Sequence, residues 1–205
     1  KKIKKDPAYI LMIDIYNHFT KNIKLPFDSI NTELNRHYQL YLKGLMTLMP
    51  DAKKYYPDAN NTLRITYGKV EGSQPADGVI YNYYTTIDGI IEKWDSTIDE
   101  FKIPDRLMEL YNKKDFGGYD KNGKLVVCFT ASNHTTGGNS GSPVIDANGN
   151  LIGVNFDRTW ESTMSDIMFD PALCRNIALD MGYVLFVIDK VCRAKNLIGE
   201  MKIVR

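Results

Sequence analysis

A chain of 205 residues with 43% hydrophobic and 25% charged residues holds enough apolar surface for one large domain or a domain and a half. Its 26 basic side chains against 25 acidic ones leave a net charge of +1, which argues against a nucleic-acid binder or a membrane-surface protein. No apolar run reaches the ~18 residues of a membrane-spanning helix.

The chain starts Lys1-Lys2-Ile3-Lys4-Lys5 with no initiating Met, so it is expected to be cut from a longer one, any signal peptide lying upstream. Asp6-Pro7 reads as a helix cap followed by a first-turn proline, and Tyr9, Ile10, Ile13, Tyr16 and Phe19 repeat with a period near 3.6. After Pro26 the stripe resumes through Ile30, Leu34, Tyr38, Tyr41, Leu42 and Leu45 until Pro50 stops it. The expectation is two antiparallel helices joined by a short break, with His18 and His37 as structural histidines. From Tyr55-Tyr56-Pro57-Asp58 onward the period changes to two. Residues 62–70 and 78–84 alternate as strands, residues 86–113 read as a helical excursion, and a strand covers residues 125–130.

Asp146-Ala147-Asn148-Gly149-Asn150 is a turn between Pro143-Val144-Ile145 and a strand at residues 151–156. Its first acidic and amide positions have calcium-loop spacing, but Leu151 stands where such a loop needs glycine, so a plain hairpin is expected. Short strands are expected at residues 166–169 and 175–178, and a helix at residues 183–191. About six strands joined by turns favour an antiparallel sheet closing on itself. Cys128, Cys174 and Cys192 cannot all pair and show no metal spacing, so buried free thiols are expected.

The stretch Gly137-Gly138-Asn139-Ser140-Gly141-Ser142-Pro143 carries the chemistry. A serine between glycines, followed by a proline and an apolar strand, suits a nucleophile on a tight loop where backbone N–H groups approach a substrate carbonyl. Ser140 is then the nucleophile, and the amides of Gly138 and Ser140 are the oxyanion donors. The bland alternative is an ordinary turn between strands.

This run, together with Gly149-Asn150-Leu151-Ile152-Gly153-Val154-Asn155-Phe156-Asp157-Arg158-Thr159-Trp160-Glu161, Ser165-Asp166-Ile167-Met168-Phe169-Asp170 and Cys174-Arg175-Asn176-Ile177, resembles the bacterial serine dipeptidyl-peptidases of trypsin-like fold. Pro57-Asp58-Ala59-Asn60 with Thr62-Leu63-Arg64 and Thr66-Tyr67-Gly68 extends the resemblance over residues 57–189 at least. It implies an α+β chain: the end of a helical domain at residues 1–57, then a C-terminal trypsin-like antiparallel β-barrel at residues 58–205, the second barrel of a double-barrel peptidase. The implied activity is release of N-terminal dipeptides through an acyl-enzyme, in a periplasmic, cell-surface or secreted bacterial protein.

In that family the general-base His and its Asp come from the first barrel, which this chain lacks, so the chain alone is expected to be inactive. His134, on the approach to the Ser140 loop, is expected to be a pocket wall or a structural histidine rather than the base. Arg158 ends the strand bordering the specificity pocket, where its planar fork suits a carboxylate; an arginine at this place goes with preference for Asp or Glu in the dipeptidyl-peptidase eleven type. Asp157 matches the family residue that pairs with the substrate's terminal ammonium. The reading calls for peptide substrates, the N-terminal barrel as partner and neither cofactor nor metal, and leaves a homodimer open. Its rivals are a trypsin-like endopeptidase and a non-catalytic peptide-binding module.

Overall fold

The computed structural model describes residues 3–52, 55 and 62–204. The chain divides into two compact units, Lys1–Asn60 and Asn61–Arg205; the Pro57-Asp58-Ala59-Asn60 motif lies outside the described residues.

In the first unit Asp6 caps helix α1 (Pro7–Phe19), its carboxylate accepting from the Ala8 and Tyr9 amides at 2.8 and 3.3 Å. The expected break at Pro26 does not occur. A π-helical turn (Thr20–Lys24) leads directly into α2 (Leu25–Leu48), so the chain never reverses and no antiparallel pair forms. The physical reason lies at Pro26, which has no N–H to close a bond and whose ring would collide with a carbonyl one turn back. The wider turn, in which the Leu25 amide reaches back to the Thr20 carbonyl, accommodates the proline inside a continuous helical run. No described residue of α1 or α2 is buried.

The second unit is built on antiparallel strands throughout. β1 (Ser73–Ala76) and β2 (Val79–Tyr81) form a small ribbon, while β3 (Tyr84–Thr86), β4 (Val126–Ala131), β5 (Pro143–Ile145), β6 (Leu151–Arg158) and β7 (Asn176–Asp180) form a five-stranded sheet in the order β3-β4-β7-β6-β5. That order is linear, with the three-residue strands β3 and β5 at its edges. The expected closure into a barrel is therefore not made by these strands, because neither short edge finds the other.

Between β3 and β4 lie α3 (Ile87–Glu92) and α4 (Asp105–Asn112), and after β7 come α5 (Met181–Phe186), a π turn (Val187–Val191) and α6 (Lys195–Gly199). Ile87, Leu107, Leu110, Phe116, Leu125, Val127 and Phe186 pack into one buried cluster, with Phe116 and Phe186 edge to face at 6.1 Å. This core anchors β4 on the helices and leaves the loop after β4 free to carry function.

Two strand expectations fail. Residues 62–69 belong to no strand ladder among the described residues, and Val70 makes an isolated bridge to Ala131. Their alternating Leu63, Ile65 and Tyr67 are 82–90% exposed, since within this unit no second layer faces them. Residues 166–169 are turn and coil, because the segment doubles back through Met164 carbonyl bonds to the Ile167 and Met168 amides. Of the thiols, Cys174 is buried, Cys128 half-buried and Cys192 exposed, so the expectation of burial fails at Cys192, which follows the π turn Val187–Val191.

Asp180 ends β7 and caps α5, accepting from the Gly182 amide at 2.7 Å. Burial pushes its carboxyl above the ordinary value, so its charged form is disfavoured in the fold and its contribution falls as pH rises through the carboxylate range. Asn caps as well as Asp does but carries no charge. Asp180→Asn is thus expected to match or exceed the parent's urea midpoint at pH 7, the difference vanishing below pH ~4, while Asp180→Ala loses about 1 kcal/mol with the cap.

Candidate active site

The loop from Ser132 to Ser142 joins β4 to β5, and hydrogen bonds from three directions hold it. The Thr136 amide donates to Asn139 Oδ1 at 2.9 Å, the Asn139 amide to the Thr136 carbonyl at 3.2 Å, and the Ser142 amide to the Asn139 carbonyl at 3.0 Å. Gly138 has φ +100° and Gly141 φ +84°, backbone that residues with a Cβ rarely adopt. No atom lies within 4 Å of a Cβ built at Gly138, so glycine is required there by conformation rather than by space. In this loop the Gly138 and Ser140 amides donate to nothing among the described residues. Two unclaimed donors flanking one exposed serine are what an oxyanion site needs.

β6 extends that support past its pairing with β5. The Gly141 amide donates to the Asn155 carbonyl at 2.7 Å and the Asn155 amide to the Ser142 carbonyl at 2.9 Å. The Asn155 side chain donates to the Asn139 carbonyl at 3.1 Å and accepts from Asn176 Nδ2 at 2.8 Å, so a buried line of amides runs from β7 through β6 to the loop. Beyond Asn155 the register with β7 shifts: Asn155 faces Ala178 and Asp157 faces Ile177, leaving Phe156 as the bulged residue. The freed Phe156 carbonyl accepts from Ser140 Oγ at 3.4 Å, a long and weak bond. Among the described residues no histidine nitrogen is within hydrogen-bonding reach of Ser140 Oγ.

The other residues singled out in the sequence fall around this loop. His134 Nε2 lies 3.1 Å from the Ser165 carbonyl oxygen, and its ring stacks on Phe169 with centroids 4.5 Å apart. Asp157 is exposed, and one of its oxygens accepts from the Arg158 amide at 2.7 Å. Arg158 is half-buried; its Nη1 and Nη2 grip the two carboxylate oxygens of Asp166 at 2.8 and 3.2 Å, and Nη1 also donates to Ser165 Oγ at 2.8 Å. Hydrogen bonding to Arg158 holds the Asp166 carboxyl below the usual carboxylate range. The same pairing raises the guanidinium above its own ordinary value.

Reasoning from sequence missed Asp166, Ser165 and the Asn155–Asn176 line. The sequence places Asp166 in a strand, and eight residues of extended chain would hold it about 26 Å from Arg158, so nothing local couples the two. The calcium-like spacing in the β5–β6 hairpin is explained by Asp146, whose Oδ1 accepts from the Asn148 and Asn150 amides and closes the turn.

The class these features define is one in which a serine on a glycine loop faces free amides at the end of an antiparallel sheet. Comparison with known sequences makes it specific: the family model of peptidase S46 matches residues 1–203, and the chain belongs to that family. It is 52% identical over its whole length to the Asp/Glu-specific dipeptidyl-peptidase of Flavobacterium psychrophilum, of which it covers 28%. To dipeptidyl-peptidase 7 of Phocaeicola vulgatus it is 47% identical, again over its whole length and 28% of the relative. The crystal structure of Porphyromonas endodontalis DPP11 in complex with the dipeptide Arg-Asp matches 79% of this chain with a TM-score of 0.73 and 43% identity, over 23% of that protein. The chain thus spans about a quarter of the length of the relatives it matches. No helix among the described residues is long and apolar enough to cross a membrane.

Proposed function

We propose that this segment carries the nucleophile and the specificity elements of a serine dipeptidyl-peptidase that releases N-terminal dipeptides with Asp or Glu at the cleaved position. Ser140 Oγ attacks the carbonyl of the second residue as a general base takes its proton, the Gly138 and Ser140 amides receive the oxyanion, and the bond to the third residue breaks as the base returns the proton to the departing amine; water, activated by the same base, then hydrolyses the dipeptidyl ester and frees Ser140. The general base comes from outside the described residues, since no histidine there reaches Ser140. The observation that carries the reading is the placement of Arg158 on the strand whose bulged carbonyl binds Ser140, which sets a carboxylate-binding fork beside the nucleophile loop. The relatives include both Asp/Glu-specific and dipeptidyl-peptidase 7 proteins at similar identity, so this side chain, not overall similarity, supports the acidic preference. Completion of the open sheet into a trypsin-like barrel by the rest of the polypeptide, and a periplasmic or cell-surface location, belong to the same proposal.

The test uses a protein of full family length with four reporters, acidic or apolar at the second position and free or acetylated at the N-terminus. Fast turnover is expected only for the free acidic one, with a fluorophosphonate labelling Ser140. Equal turnover of acetylated peptides would favour an endopeptidase, and absence of labelling a binding module.

Asp157 supplies the ammonium site. Among the described residues only one of its carboxylate oxygens is used internally, and an exposed carboxylate at the end of β6 can hold a terminal –NH₃⁺. Asp157→Ala is expected to lower kcat/KM for free-amine reporters by about 10² while residual turnover of acetylated ones stays within about twofold. Equal losses on both would make the residue structural.

A further inference from the structure

A guanidinium carries N–H donors on more than one edge, and in Arg158 these edges are not equally occupied. Its end edge is taken by Asp166, Nη1 to Oδ1 at 2.8 Å and Nη2 to Oδ2 at 3.2 Å. Nη1 is further engaged by Ser165 Oγ at 2.8 Å and the Thr135 carbonyl at 3.4 Å. The side edge, made of Nε–H and the second Nη2–H, donates to nothing among the described residues. The arginine side chain is 24% exposed and the aspartate 51%, so the guanidinium is the inner partner of the pair.

A planar guanidinium can hold one carboxylate on each of these edges at once. We propose that Asp166 is a resident counter-ion of Arg158, which an acidic substrate side chain joins on the Nε/Nη2 edge without displacing it, and which limits how sharply the pocket separates acidic from uncharged side chains. This rests on the reading of Arg158 as the specificity residue. With Asp166 in place the empty pocket is close to neutral. An uncharged side chain then covers a cation that is already paired, avoiding the penalty of stranding a desolvated charge. An acidic side chain, by contrast, arrives beside a second carboxylate and feels its repulsion. Removing the charge of Asp166 therefore shifts the two substrate classes in opposite directions. A residue that merely props up Arg158 would do the reverse, because a loosened arginine weakens acidic substrates most.

The experiment compares parent, Asp166→Asn and Asp166→Glu in a protein of full family length, with free-amine reporters carrying Asp, Glu, Leu or Met at the second position. In Asp166→Asn the acidic-to-apolar ratio of kcat/KM is expected to rise about tenfold, the size expected for one unit charge a few ångströms away that stays screened nearly as in water, as the 51% exposure of Asp166 dictates. The change should enter through KM, lower for acidic and higher for apolar reporters, with each kcat within about twofold of the parent. Asp166→Glu, which restores the charge, should return the ratio to within about threefold of the parent. A ratio that falls or stays fixed in Asp166→Asn makes Asp166 a scaffold and overturns the inference. So does a Glu variant that behaves like the Asn variant, since geometry rather than charge would then be at work. A parent with no acidic preference overturns the proposed role of Arg158 itself, an outcome the parent rows reveal without either variant.

Discussion

Replacing Ser140 with alanine in a protein of full family length is expected to lower kcat for dipeptidyl reporters by about 10⁴-fold or more, with KM changed only a few-fold. Loss of the attacking oxygen leaves only what oxyanion donors and substrate binding contribute, and both are built from backbone and from residues other than the Ser140 hydroxyl. The Gly138 and Ser140 amides stay in place because Asn139, Asn155 and Gly141 hold the loop, and none of those bonds involves Ser140 Oγ. Its one bond among the described residues, to the Phe156 carbonyl at 3.4 Å, is too long to support the fold. A variant that kept most of its turnover would end the nucleophile assignment. The 205-residue chain by itself is expected to be inert toward the same reporters, because Ser140 has no base in reach; turnover abolished by Ser140→Ala would make His134 the base.

The second large effect is expected at Arg158. Arg158→Gly should cut kcat/KM for acidic reporters by about 10² or more, as loss of a desolvated charge pair does, and raise it for apolar ones by clearing volume from the pocket. Asp166 deepens the loss: an exposed carboxylate is ionised at neutral pH without help, so once Arg158 is gone it confronts the substrate's carboxylate unshielded. Arg158→Lys should fall between, since an ammonium keeps the charge but cannot offer two edges. Retention of the acidic preference by the Gly variant would move the source of selectivity elsewhere in the pocket, with His134 and Thr135 next in line.

Where local chemistry decides the structure, the sequence already shows it. Asp6-Pro7 starts a helix because the cap and the proline satisfy the same first turn, and Asp146 closes the β5–β6 hairpin through its own side chain. The glycines of the Ser140 loop mark a tight approach of backbone, and two of them, Gly138 and Gly141, take positive φ. Features set by distant partners do not announce themselves. Leu63, Ile65 and Tyr67 alternate as a strand should, but alternation only becomes a ladder where a neighbouring edge accepts it. Pro26 looks like a break because nothing local shows that a π turn will absorb it. At the site, the residue types of Ser140, Asp157 and Arg158 are visible in the sequence, whereas the pairing of Arg158 with Asp166 depends on the turn between them that folds the chain back on β6.

The single extra residue in β6 has a further meaning for how this region can vary. The partners in β7 run consecutively across it, Ala178 facing Asn155, Ile177 facing Asp157 and Asn176 facing Arg158. Deleting Phe156 would therefore leave Asp157 and Arg158 opposite the same partners, and would remove only the local bend and the carbonyl that meets Ser140 Oγ. A residue gained or lost elsewhere in β6 would instead slip the register and send both side chains to the opposite faces. Changes of length in this strand should therefore be tolerated at the bulge far better than at any other position along it.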